Sequence, residues 1–236
     1  VRSQTRHQLK QDQFAASAGQ AVEWTVEHRD KLIYGGIAVA VVLAIVVGGW
    51  WYMQQQESEA GVALGHAITV YTTPLTPAGQ PVAAGTTAFS TVQDRAKTAK
   101  DEFKNVADKY GRTSSGKIAK YFLGLAEMDM GDTAGAEAVL KDVSGSGNSD
   151  TAALAKMALA SLYRRTGKDQ DAIRLYKELA DKPTNAVSKS AARLQMAETY
   201  EEKDPQNAKI VYEQIQKEDP KSAAAEVAAQ RLASLK

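Results

Sequence analysis

Between Leu32 and Met53 the chain reads LIYGGIAVAVVLAIVVGGWWYM, without one charged side chain. Coiled as an α-helix, this run extends about 33 Å, enough to cross a hydrocarbon core of ~30 Å. A helix apolar on every side needs either a large core or a bilayer around it, so the run predicts a transmembrane helix over residues 32–53. Tyr34 near its start and Trp50, Trp51 and Tyr52 at its end stand where amphipathic rings prefer to lie, at the two lipid–water boundaries. A cleavable leader has a shorter apolar core close to the N-terminus, followed by small residues at the cut. Here the run is longer and starts later. Ser58-Glu59-Ala60 offers a small-residue site, but the aromatic exit fits an uncleaved anchor better.

Positive charge is distributed unevenly about the run. Arg2, Arg6, Lys10, Arg29 and Lys31 precede it, and the next basic residue after it is Arg95. This asymmetry predicts a cytoplasmic tail over residues 1–31 in a bacterial inner membrane, with everything after the span extracytoplasmic, in the periplasm of a two-membrane bacterium. Within the tail, Phe14, Ala18, Ala21, Val22 and Thr25 recur at helical spacing away from Gln13, Glu23 and Glu27, the pattern of a weakly amphipathic helix. Inside the span, Gly36, Ala40, Ala44 and Gly48 fall four residues apart and form a stripe of small side chains, which lets a second membrane helix approach closely. The expected partners of this part are the lipid bilayer and other membrane proteins.

The remaining residues carry an internal repeat. A small, a large and a further apolar residue at i, i+4 and i+7 return at an offset of 36 residues: Ala136, Leu140 and Val143, then Ala172, Tyr176 and Leu179, then Ala208, Tyr212 and Ile215. An earlier set, Ala99, Phe103 and Val106, precedes these by 37 residues. That spacing puts each set on one helix face, with alanine where two helices come close. Upstream, Lys117–Met130, Thr151–Thr166 and Ser188–Lys203 read as the partner helices, with Gly124, Ala160 and Ala197 as their small contacts. Gly131 and Gly167 supply the turns, and Pro205 suits a first helical turn. The fold class is therefore all-α: one transmembrane helix, then a solenoid of helical hairpins. A first helical pair, Glu57–Tyr71 with a partner around Gln93–Lys109, fills residues 54–110 around a long loop at 72–88. Three repeats fill 111–220, and 221–236 forms a capping helix with Val227, Ala228, Leu232 and Leu235 on one side.

These hairpins resemble the tetratricopeptide repeat through Leu123-Gly124, Tyr163, Ala172, Tyr176 and Pro220. They depart from it at Lys120 and Lys156, where an aromatic is usual, and at Glu127, where Tyr is usual. The resemblance implies a surface of first helices on which extracytoplasmic polypeptides dock. Carried over by register, its positions are Tyr121 and Met128, Met157 and Arg164, and Leu194, Glu198 and Glu201. The whole arrangement, with Trp24 and Arg29 before one span, an aromatic exit and degenerate repeats, is similar to the YfgM-type family of ancillary SecYEG-translocon subunits. That likeness implies a chaperone-like scaffold at the protein-export channel. Two other roles fit the same features: a structural accessory subunit of a larger respiratory or photosynthetic membrane complex, and a cell-envelope scaffold.

Chemistry is sparse elsewhere. Lysine and arginine number 29 against 28 acidic residues, so no strong field points to nucleic acid. Cysteine is absent, and His7, His28 and His66 are scattered, which predicts neither a metal site nor a cofactor. Gly111-Arg112-Thr113-Ser114-Ser115-Gly116-Lys117 has phosphate-loop spacing, but Ile118 stands where the loop needs Ser or Thr. Ser114 is expected to cap the following helix instead. Glu201-Glu202 and Asp101-Glu102 read as solvated faces. The sequence predicts no enzyme.

Overall fold

The computed structural model describes residues 28–76, 88–146 and 149–235. The tail helix expected from Phe14 to Thr25, the basic residues Arg2, Arg6 and Lys10, and most of the 72–88 loop lie outside the described residues. The chain divides into two units after Gln55. Helix α1 (Arg29–Thr72) carries the apolar run in the first of them. Its most apolar 18-residue window has a mean hydropathy of 2.5, and no part of that window is covered by protein. Tyr34, Trp50, Trp51 and Tyr52 are exposed, as are Gly36, Ala40, Ala44 and Gly48. The helix is long and apolar enough to cross a membrane.

The sequence predicts a separate helix from Glu57 to Tyr71; α1 instead continues through these residues without interruption. The stretch Gln54-Gln55-Gln56 offers no proline or glycine to break it. The second unit, Gln56–Lys236, thus begins within α1 and adds α2 (Val92–Tyr110), α3 (Ser114–Met130), α4 (Thr133–Ser144), α5 (Ser149–Arg165), α6 (Asp169–Asp181), α7 (Lys189–Tyr200), α8 (Pro205–Glu218) and α9 (Ala223–Ser234). Each helix from α2 onward packs on the next, and α3 also meets α5, as α7 meets α9. Among the described residues there is no strand, only an isolated bridge between Leu75 and Phe89 at the base of the loop.

The repeat register sets this packing. Ala99, Ala136, Ala172 and Ala208 are fully buried on α2, α4, α6 and α8, and so are Phe103, Leu140, Tyr176 and Tyr212 four residues later. Val106, Val143, Leu179 and Ile215 complete each buried face. Each large side chain contributes roughly 1.5–3 kcal/mol by leaving water. On the facing helices, Ala60, Leu64, Ala67 and Val70 of α1 and Ala119, Leu123 and Ala126 of α3 join Phe103 in one cluster. Leu159, Tyr163 and Ala160 of α5 join Leu140 and Tyr176 in the next, and Ala197 joins Tyr212 in the last. At Gly124 a Cβ would stand 2.8 Å from Cγ and Cδ2 of Leu140, so the glycine lets Leu140 rest on the α3 backbone. Gly131 and Gly167 turn the chain with φ of 79° and 76°, the left-handed region that other residues avoid.

Several helix edges differ from the sequence reading. Helix α3 begins at Ser114 rather than Lys117, α5 begins at Ser149, and α7 ends at Tyr200 with a turn over 201–203. Ser144 closes α4, after which the Gly145 N–H donates to the Asp142 carbonyl and the Ser146 N–H to that of Val143. On α1, Ser58, Gly61, Gly65, His66 and Thr69 are exposed, as is Val62, while Leu232 and Leu235 of the C-terminal segment pack against the last cluster.

Gly116 and Gly65 separate packing from helix propensity. A Cβ on Gly116 would lie 2.0 Å from the Tyr110 carbonyl oxygen, whereas one on Gly65 would meet nothing within 4 Å. Gly116→Ala should therefore destabilise by about 3 kcal/mol through overpacking, and Gly65→Ala should stabilise by up to about 1 kcal/mol. Denaturant unfolding of the full chain followed by circular dichroism checks both signs.

Candidate functional site

One face of the first helices stays partly open. On α3 it carries Ile118, Tyr121, Phe122, Leu125 and Met128; on α5, Leu154, Met157, Ser161 and Arg164; on α7, Leu194, Gln195 and Glu198, followed by Glu201 just beyond the helix. All are partly buried, at the i, i+3, i+4 and i+7 spacing that keeps a stripe on one side of a helix. Tyr121, Leu125, Met128, Leu154 and Met157 rest on the central cluster, so each side chain has one flank in the core and one in solvent. Leu194 rests on the last cluster. Tyr121 meets Phe122 edge-on at 5.3 Å, and Phe122 stacks on Phe103 at 5.2 Å, which ties the α3 stripe to the α2 core.

The stripe changes character along the stack, from aromatic and aliphatic on α3 to charged on α7. Arg164 Nη1 donates to Glu198 Oε2 at 3.1 Å and so joins α5 to α7. Gln195 Nε2 donates to the same oxygen at 3.1 Å. Tyr212 donates its hydroxyl to Glu201 Oε1 at 2.6 Å, and Arg231 of α9 lies 3.7 Å from Glu201 Oε2. Burial first, and then this bond to Glu201, raise the Tyr212 hydroxyl well above the usual phenol range. Expected as part of a solvated face, Glu201 is instead a structural acceptor, because its carboxylate lies against a fully buried tyrosine. Of the seven positions carried over by register, the structure joins Arg164 directly to Glu198 and leaves Tyr121, Met128, Met157 and Leu194 as half-open apolar side chains. Leu125 and Leu154 belong to the same stripes; their spacing from Tyr121 and Met157 was the signal for them.

The departures from the repeat pattern acquire partners. Lys120 pairs with Asp142 across its hairpin, and Lys156 pairs with Glu178 at 3.3 Å in the equivalent place one repeat later. Glu127 is buried, with Lys100 Nζ 3.2 Å from its Oε1. A charge at that depth is tolerable because its counter-charge sits beside it. Among the described residues, no group of three or more His, Asp or Glu is placed to hold a metal ion.

The phosphate-loop look-alike also resolves. Thr113, not Ser114, caps α3: its extended backbone lets the side chain accept from the Gly116 N–H, while Ser114 is already in the helix. The N–H groups of Ser114 and Ser115 donate to the Glu57 carboxylate at 2.7 and 3.0 Å, and the Ser115 hydroxyl adds a third bond at 2.6 Å. The helix N-terminus, a natural anion site, is thus occupied by a carboxylate of the chain itself. No local signal announces this, since the partners lie 57 and 58 residues apart. Burial pushes the Glu57 carboxyl up, but the bonds from Ser115 and Ser114 outweigh it and hold the group below its ordinary value of 4.5.

The chain matches the tetratricopeptide repeat-like domain over residues 22–188 and a further tetratricopeptide repeat over residues 191–222. It belongs to the tetratricopeptide repeat-like domain family. No curated protein and no solved structure matches it. Repeats of this kind generally serve as protein-interaction scaffolds rather than enzymes.

Because the folded pKa of Glu57 lies below the unfolded one, its contribution is fully present above the unfolded value and disappears as pH falls through the folded one. Glu57→Gln should therefore destabilise the full chain by about 1 kcal/mol at pH 7, the scale of a lost helix cap. The gap from the parent chain should close below about pH 4, near the ordinary carboxylate range. Parallel unfolding curves at pH 7 and pH 3 measure the change.

Proposed function

We propose that this chain is a membrane-anchored scaffold whose repeat unit docks other polypeptides on the first-helix face. The observation that carries the reading is the set of half-open apolar side chains, Tyr121, Leu125, Met128, Leu154 and Met157, recurring on successive first helices above a closed core. Unbranched methionines adapt to partners of varied shape, which suits a surface that meets more than one client.

Retention of the apolar helix as an anchor is supported by the residues immediately after it. At the small-residue site Ser58-Glu59-Ala60, Ala60 is fully buried, and the preceding Glu57 holds the N-terminus of α3. Cleavage there would cut a helix that belongs to the repeat core. Each Leu, Ile or Val at the span centre favours insertion by about 0.3–0.6 kcal/mol. The basic residues before the span and the acidic and neutral ones after it support a cytoplasmic N-terminus and an extracytoplasmic repeat unit. With the likeness to the YfgM-type translocon subunits, this gives the finer reading of a periplasmic, chaperone-like factor beside the export channel. The domain limits 1–31, 32–53, 54–110, 111–220 and 221–236 belong to the same proposal.

A permanent subunit of a larger membrane complex is the second reading, favoured by the exposed stripe Gly36, Ala40, Ala44 and Gly48; a Cβ at either glycine would meet nothing within 4 Å. Protease added outside the inner membrane should remove the repeat unit and spare the segment before Lys31. Protection of residues 95–236 would refute the orientation. Purification in mild detergent with mass spectrometry then separates the two readings. Ala40→Leu with Ala44→Leu should remove stably bound membrane partners by blocking close helix approach. Transient polypeptide clients should remain, and full retention of the membrane partners would rule out the stripe as their contact.

A further inference from the structure

The hydroxyl of Tyr176 is poorly satisfied for its depth in the repeat unit. Tyr176 is fully buried, and its hydroxyl has no hydrogen-bond partner among the described residues, a destabilising arrangement for a group that both donates and accepts. The next repeat shows the completed form. Tyr212, at the same register and equally buried, donates to Glu201, whose second oxygen faces Arg231. One repeat earlier, the register of Glu201 is held by Arg164, and a guanidinium cannot accept the tyrosine's hydrogen.

Arg164 is itself only partly committed. It is 34% exposed and bonds Glu198 through one nitrogen, although a guanidinium presents five donors in a planar fork suited to carboxylates. Glu198, 18% exposed, is held independently by Gln195. Both charges act on the tyrosine: burial pushes the Tyr176 hydroxyl up to about 12, Arg164 works against that rise and Glu198 adds to it.

We propose that Arg164 receives an acidic side chain of a docked polypeptide. The incoming carboxylate takes the guanidinium over from Glu198, and Glu198, still held by Gln195, accepts the hydroxyl hydrogen of Tyr176. The inference rests on the first-helix face being the docking surface and adds what that surface selects: an apolar segment bearing one Asp or Glu. A side chain suits the place better than a chain terminus, because half-open residues lie on both sides of Arg164, with Tyr121 and Met128 on α3 and Leu194 on α7. Docking then pairs Arg164 with the incoming acid, leaves Glu198 held by Gln195 and supplies the buried hydroxyl with an acceptor, as at Tyr212.

The test uses the full chain in lipid nanodiscs and two synthetic leucine- and alanine-rich peptides, alike except for a central Glu or Gln. The Glu peptide should bind about tenfold more tightly, the scale of one charge-assisted hydrogen bond. Arg164→Gln should abolish that preference. Tyr176→Phe should keep the helical circular dichroism, melt no lower than the parent and reduce the preference severalfold. Equal binding of the two peptides, or a preference that survives Arg164→Gln, overturns the inference while the docking face stands; no binding of either overturns both. A lower melting temperature for Tyr176→Phe would show that the hydroxyl already has an acceptor, and a full preference in that variant would show that Tyr176 takes no part. Either result rejects the exchange.

Discussion

Everything in the repeat unit depends on one contact made four times: a second-helix alanine that admits the neighbouring helix, and four residues later a large side chain that fills the space so opened. Ala99 with Phe103, Ala136 with Leu140, Ala172 with Tyr176 and Ala208 with Tyr212 are all without exposed surface. Interiors pack near crystalline density, so the size of the small residue fixes how close the helices come, and the large one fixes their register. The first helices answer with Gly124 in one hairpin and with Ala160 and Ala197 in the others. Phe, Leu and Tyr alternate at the large position without changing the architecture, because the volume is shared with whatever small residue lies opposite.

Charged groups also tie neighbouring hairpins to one another. Lys168, just past the turn glycine Gly167, reaches back to Glu137 of α4 at 2.9 Å. Glu137 also takes Lys141 at 2.6 Å and the Tyr163 hydroxyl at 3.2 Å. The bonds from Lys141 and Lys168, which outweigh the opposing effect of burial, and that from Tyr163 bring its carboxyl down to about 2. Lys203, in the next turn, pairs in a similar way with Asp169 of α6. These ties lie at the surface, where solvent screens them, so their value is in setting the angle between hairpins more than in stability. The pair Lys100–Glu127 differs, since Glu127 is buried and removing Lys100 strands its charge inside the protein.

The seam was legible because each of its elements is local: three residues within two helical turns, returned at a fixed offset. The apolar run was legible for the same reason, and so were the glycines that turn at positive φ. What escaped the sequence depends on distance. Glu57 finds Ser114 and Ser115 only after α2 has folded back, so the cap was assigned to Ser114, which the backbone places one residue inside the helix. The unbroken α1 was missed because nothing in Gln54-Gln55-Gln56 marks either a stop or a continuation. Lys120, Lys156 and Glu127 looked like losses from the repeat pattern, and their opposite charges on neighbouring helices, Asp142, Glu178 and Lys100, became relevant only once the helices were paired. At the candidate face, the register carried over from the repeat family named Tyr121, Met157 and Arg164 but passed over Leu125 and Leu154, ordinary leucines in a leucine-rich pattern.

The same residues cannot serve both the seam and the docking face, and the chain keeps them apart by helix face. Second helices place their large residues at full burial, where a one-methylene change is felt throughout the hairpin. First helices give that seam small residues and buried large ones such as Leu159 and Tyr163, and keep Tyr121, Met128, Met157 and Leu194 at the half-buried margin. A margin of this kind loses little when a side chain changes rotamer, so it can adapt to a partner without disturbing the register beneath. Arg164 sits where the two demands meet. Its carbons lie along the α5 stripe, its charge bridges to Glu198 on the next repeat, and the tyrosine below it belongs to the seam. A change of its partner at the surface can thus be felt by the core beneath, where the Tyr176 hydroxyl has no acceptor among the described residues.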